Sequence, residues 1–146
     1  MMTFRLHGAL LATGDALVGD LGLTSARWQV LGAVALEPQA PTVAQAARRM
    51  GLSRQAVQRI ANDLKAEGLV RFIDNPDHQR AKRMELTQTG QRAYASAMDR
   101  QRRWAEGLAR GIDSDDIYKA RDLMTTLLNR LYARASVDGS EPENPT

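Results

Sequence analysis

Two short amphipathic helices joined by a turn of about three residues constrain this 146-residue chain more than any other feature. Thr42 opens the first and has Gln45 three residues on, the spacing of a capping box, in which side chain and backbone satisfy each other's orphan groups. Val43, Ala46, Ala47 and Met50 fall on one face, and Gly51 supplies the stop. Two residues later Ser53 can cap a second helix running to about Glu67, with Gly68 as its terminator. Within it Val57, Ile60, Ala61 and Leu64 point one way, while Arg54, Gln55, Gln58, Arg59 and Asn62 point the other. The outward face therefore carries side chains able to make paired hydrogen bonds.

A strand pattern follows at once. Leu69 to Asp74 is rich in β-branched and aromatic residues, and Lys82 to Leu86 alternates polar with apolar, so the two can pair as a hairpin. Asn75, Pro76 and Asp77 mark the turn, and His78, Gln79 and Arg80 complete the loop. Helix, tight turn, helix, basic hairpin is the order of a winged helix-turn-helix, whose second helix enters the DNA major groove.

The rest of the chain reads as helical. Thr3 to Val18 carries Leu6, Leu10 and Leu17 on one face, with Gly19 and Gly22 bracketing its end. Thr24 caps a helix whose Trp28, Leu31, Val34 and Ala35 keep helical spacing up to Pro38 and Pro41. Beyond the hairpin, Thr87 and Gly90 mark entry to a long helix ending near Gly111, with Tyr94, Met98, Gln101, Ala105 and Leu108 as its stripe. Asp113 can cap a last helix, with Asp115 and Asp116 in its first turn and Ile117, Ala120, Met124, Leu127 and Leu131 in its apolar row. The expected fold is mainly α with a small β-hairpin. It comprises an N-terminal dimerisation helix (1–22), a winged helix-turn-helix (23–88), C-terminal dimerisation helices (89–135) and a disordered tail (136–146) rich in Ser, Gly, Pro and acids.

Charge is concentrated where the helix pair and hairpin lie. The net charge is +3, but between Arg48 and Arg83 nine Lys or Arg stand against four acids, so this segment carries +5 and the remainder −2. Such a block is an electrostatic footprint for a polyanion. With no cysteine, thiol chemistry and cysteine-ligated metal are excluded. His7 and His78 have no second ligand at helical spacing, so no metal or other cofactor is expected. No apolar run approaches the roughly 20 residues of a membrane span, and no signal peptide opens the chain, so a cytoplasmic protein without a membrane partner is expected. Asp113, Asp115 and Asp116 are the best candidates for an enzymatic site. Helix capping explains them more simply, and no convergent nucleophile and base accompanies them, so no catalytic residue is assigned.

Three segments carry a resemblance to a known family: Leu23 to Leu31 (LTSARWQVL), Leu52 to Phe72 (LSRQAVQRIANDLKAEGLVRF) and Asn75 to Gly90 (NPDHQRAKRMELTQTG). In order and spacing they resemble the MarR family of bacterial transcriptional regulators, over roughly Leu6 to Leu131. The resemblance implies a homodimer whose first, fifth and sixth helices interleave and whose two winged domains read a near-palindromic site in double-stranded DNA. Repression is the family's commoner habit, and a small aromatic or amphipathic effector often sits between the dimerisation helices and the winged domain. His7, Arg27 and Trp28 are the candidates for contacting it here.

On the reading helix the candidate DNA contacts are Arg54, Gln55, Gln58, Arg59 and Asn62, with Ser53 a cap that can also meet a phosphate. Arg pairs with guanine, and Gln with adenine, through two hydrogen bonds each. In the wing Arg80 suits a narrow minor groove, and Lys82 and Arg83 suit phosphates. The family's wing places an aspartate two residues before its arginine, as a brace; here that position is His78 and Asp77 lies one residue earlier. Either Asp77 braces the arginine through a different loop conformation, or the wing tip is looser than in its relatives. The rival to DNA binding is a winged module for protein contact, against which the +5 segment argues.

Overall fold

A computed structural model describes residues 1–78 and 80–137. Its elements are α1 (Met2–Val18), a single 3-10 turn (Gly19–Leu21), α2 (Ser25–Ala35), α3 (Val43–Met50), α4 (Arg54–Ala66), β1 (Val70–Ile73), β2 (Arg83–Leu86), α5 (Gln88–Leu108) and α6 (Ser114–Val137). They fall into two units, Met1–Ala105 and a second beginning at Glu106. Among the described residues no helix is long and apolar enough to cross a membrane.

The first unit owes its core to the inward faces of α2, α3 and α4 closing over the hairpin. Val30, Leu31, Val57, Leu64, Val70 and Met84 are fully or almost fully buried, and Val18 and Leu23 seal the near end. The strands pair antiparallel with Val70 opposite Leu86 and Phe72 opposite Met84. Alternation in β2 thus sends Met84 and Leu86 inward and leaves Arg83 and Glu85 half-buried on the other face. Each expected cap forms: Thr24 Oγ1 accepts from the Arg27 backbone N–H at 3.3 Å, and Asp113 Oδ1 accepts from that of Asp115 at 2.8 Å.

Several expectations shift. On α2 the inner face is Val30, Leu31, Ala33 and Val34, and Ala35 is exposed. On α5 the inward row is Gly90, Ala93, Tyr94 and Ala97, whereas Met98 and Leu108 of the expected stripe face outward. Tyr94 keeps its expected place, and small residues flank it because the helix start packs directly on backbone at Gly90. Leu6 and Leu10 of α1 are also exposed, 55% and 46%. In the second unit α6 runs through Val137, two residues into the expected tail, whose remainder lies outside the described residues.

The approach of α5 to the wing root is unusually close. Thr87 donates its hydroxyl to the Gly68 carbonyl at 2.6 Å and accepts the Gly90 N–H at 3.0 Å, while its own N–H donates to the Leu69 carbonyl. A Cβ on Gly90 would lie 1.9 Å from the Leu69 carbonyl oxygen. Gly90→Ala must therefore push helix from strand and should cost about 1–3 kcal/mol, the usual penalty of overpacking, measured by urea unfolding. An unchanged midpoint would show that the joint yields freely.

Three carboxylates are held below their ordinary value of 3.8: Asp15 mainly by the Ser25 backbone N–H, Asp20 by hydrogen bonding from Arg100, and Asp99 by hydrogen bonding from Arg102. Because the folded values are depressed, their stabilisation is complete above the unfolded value and disappears as pH falls through the folded ones. The thermal midpoint should therefore be level near neutrality and drop below about pH 4, with a shallower drop in Asp20→Asn. An identical acid limb in both proteins would assign no part of it to the Asp20–Arg100 pair.

Candidate nucleic-acid interface

The site begins with two helix caps. Thr42 Oγ1 accepts the Gln45 N–H at 3.3 Å, and Gln45 Oε1 accepts the Thr42 N–H at 2.7 Å, so the expected capping box is complete. Gly51 ends α3 at φ +64, a left-handed conformation that glycine adopts without a Cβ penalty, and Leu52 N–H returns to the Ala47 carbonyl. That reversal delivers Ser53 as the cap of α4, its Oγ accepting the Ala56 N–H at 3.2 Å. Val57, Ala61 and Leu64 then anchor α4 in the core.

With that side fixed, Ser53, Arg54, Gln55, Arg59 and Asn62 are exposed and Gln58 is half-buried. Gln58 donates from Nε2 to Asn62 Oδ1 at 3.0 Å, so the two amides present one joined polar edge. No ion pair engages Arg54 or Arg59 among the described residues.

Helix and wing face each other across a cleft of about 290 Å³. Arg54, Gln58, Asn62 and Lys65 line one side, and Phe72, Arg80 and Lys82 the other. Four cations border it and no carboxylate is among its lining residues. Four like charges around a concave surface focus a positive potential that a polyanion relieves. The structure thus brings Arg54, Gln58 and Asn62 together with Arg80 and Lys82. Gln55, Arg59 and Ser53 lie outside the cleft, on the same helix or at its cap.

Lys65 was not among the expected contacts. Its signal was present, since 54, 58, 62 and 65 follow helical spacing along one face. Its ammonium also stands 5.9 Å from the centre of the Phe72 ring.

The wing answers the question left by His78. Asp77 does brace an arginine, but the arginine is Arg83: its Nη2 donates to Asp77 Oδ2 at 2.6 Å and its Nε to Asn75 Oδ1 at 3.0 Å. The Arg83 side chain is only 19% exposed. It is thus tied within the wing, where the expectation had placed it over a phosphate. Arg80 is exposed and has no hydrogen bond or ion pair among the described residues. Lys82 lies 3.7 Å from Asp74, whose side chain is almost wholly solvated, a weak surface pair.

The three candidate effector contacts are dispersed in role. His7 is exposed on α1, and Trp28 is half-buried against the core. Arg27 donates to the Gly22 carbonyl at 2.9 Å and pairs with Glu67, tying the start of α2 to the end of α4. None of them lines the helix–wing cleft, nor a larger one of about 660 Å³ bounded by the Glu37 to Pro41 linker, Gln45, Arg48, Arg49 and Arg83.

Comparison with known proteins is consistent with this geometry. A family profile described as "MarR family" matches residues 21–81, from the turn before α2 to the wing. The uncharacterized protein Rv2011c of Mycobacterium tuberculosis is 38% identical over 130 residues, covering 89% of this chain and 90% of its own length. Among solved structures, the transcriptional regulator PA3341 superposes with a TM-score of 0.81 at 25% identity, over 90% of this chain and 96% of that one. The M. tuberculosis transcriptional regulator MosR, solved in complex with DNA, does so at 0.71 and 23%, over 89% and 95%.

Proposed function

This chain belongs to the MarR family of transcription regulators, and from that premise we propose that it is a repressor that grips a near-palindromic operator in double-stranded DNA as a cytoplasmic homodimer. The observation that carries the reading is the cleft in which Arg54 and Lys65 of α4 face Arg80 and Lys82 of the wing without an acid between them. A phosphate strand bordering the major groove fits such a cleft, with the helix on one side of it and the wing on the other.

From that placement the division of labour follows. The start of α4 enters the major groove, where Arg54 and Gln55 meet base edges and Gln58, Arg59 and Asn62 extend the contact along the groove. Arg80 enters the adjacent minor groove, where a narrow, A- and T-rich tract concentrates negative potential. Lys65 and Lys82 neutralise phosphates, and Ser53 offers its hydroxyl to another.

Exposed apolar residues support the dimer. Phe4, Leu6 and Leu10 on α1, and Leu123, Met124, Leu127 and Leu131 on α6, are each 46% exposed or more in the single chain. Apolar surface on that scale marks a protein contact. Release by a small aromatic or amphipathic effector completes the proposal. The 660 Å³ cleft has the volume of a small-molecule site.

Binding to fragments selected from the source genome, titrated by fluorescence anisotropy, tests the reading. Affinity should fall on the order of a thousandfold from about 50 to about 200 mM salt if roughly six phosphates are neutralised. Affinity indifferent to salt would overturn DNA binding. Arg80→Ala should weaken binding to A- and T-rich sites and flatten the salt slope by about one per protomer, whereas Gln55→Ala should alter preference at one base pair by about 1–3 kcal/mol. Equal effects of both on every sequence would refute the separate roles, and sedimentation as a single chain would refute the dimer.

A further inference from the structure

The wing of this chain is closed by a buried amide and an internal ion pair. Asn75 is only 8% exposed, and both its side-chain nitrogen and its side-chain oxygen are engaged within the wing. Its Nδ2 donates to the Ala81 carbonyl at 2.9 Å, and its Oδ1 accepts both the Asp77 N–H at 3.2 Å and Arg83 Nε at 3.0 Å. The Asp77 carboxylate accepts from Nη2 of the same guanidinium. The Asn75 carbonyl accepts the His78 N–H, and the His78 carbonyl accepts the Ala81 N–H. At the other end Arg83 is fixed by its backbone: it forms an isolated bridge with Thr42, and the next residue, Met84, donates to the Pro41 carbonyl at 2.7 Å.

We infer that Asn75, Asp77 and Arg83 form a strut that sets the wing loop against the cap of α3 and so presents Arg80, with Arg83 acting as a positioning residue rather than a phosphate ligand. The inference rests on the DNA-binding reading for its consequence, though not for its geometry. Two features carry it. A guanidinium held by a carboxylate and a buried amide has its charge offset and two of its five N–H donors tied inside the loop, so its position is set by the wing itself. Arg80, three residues away, has neither partner among the described residues and stands exposed beside the cleft. The strut therefore does for the loop what an aspartate at position 78 would do for Arg80 directly, and leaves Arg80 unneutralised.

The two roles for Arg83 predict opposite signs when Asp77 is removed. A phosphate ligand masked by Asp77 is released in Asp77→Ala, so affinity for DNA would rise and the salt slope would steepen by about one per protomer. A strut instead loses its tie. Affinity should fall roughly tenfold in both Asp77→Ala and Arg83→Ala, with the salt slope unchanged from the parent. Arg80→Ala should then cost less in the Arg83→Ala background than in the parent chain; strict additivity would overturn the inference, because a merely stabilising Arg83 would leave the contribution of Arg80 intact.

A second measurement needs no DNA. Trypsin cleavage after Arg80 in the folded protein should quicken in Asn75→Ala and Asp77→Ala relative to Arg59→Ala, and equal rates would overturn the strut. If the parent chain binds no DNA while proteolysis quickens as expected, the functional reading fails and the strut stands.

Discussion

The wing and the helix pair form one body because a strand hydrogen-bonds to the residues that precede a helix. Met84 donates to the Pro41 carbonyl at 2.7 Å, Arg83 bridges Thr42, and the Met84 side chain fills the core with no exposed surface. Thr42 is also the cap of α3, so the residue that starts the positioning helix is the one that receives the hairpin. Without that junction, a two-stranded ribbon would be marginal in water and free to swing. With it, Arg80 and Lys82 hold a fixed distance from α4, and the space between them becomes a cleft of defined shape rather than two independent surfaces.

The same constraint sorts the basic block. Of its nine cations, Arg49, Arg71, Lys82 and Arg83 have acid partners in Glu37, Glu85, Asp74 and Asp77. Arg48, Arg54, Arg59, Lys65 and Arg80 have none among the described residues, and three of those five border the cleft. The charge available to a polyanion is thus smaller than composition suggests, and it is gathered near the groove between helix and wing. The paired arginines have their charge offset within the domain, while the unpaired cations keep theirs.

Much of this was legible in the residues themselves. Caps and stops are local chemistry, so Thr24, Thr42 with Gln45, Gly51, Ser53 and Asp113 could be read from short spacings, and each forms its expected contact or turn. The polar face of α4 was equally readable from helical periodicity. What escaped was set by contacts between distant residues. On α5 only Tyr94 of the expected stripe faces the core; backbone contact at Gly90 selects small side chains beside it, and a search for large apolar residues passes over them. Asp77 was weighed only as a brace for Arg80; Arg83 also lies within a few residues of it, and the loop conformation decides between them.

The contact of Gly90 with the Leu69 carbonyl has a mechanical meaning as well as an energetic one. A helix of 21 residues is about 31 Å long, and the first turn of this one meets the Leu69 backbone with no room for a methyl group between them. Thr87, just before that turn, holds the Gly68 carbonyl as well, so the start of α5 and the root of the wing share one set of backbone contacts. The absence of a methyl group at one position thereby joins the start of α5 to the root of the wing.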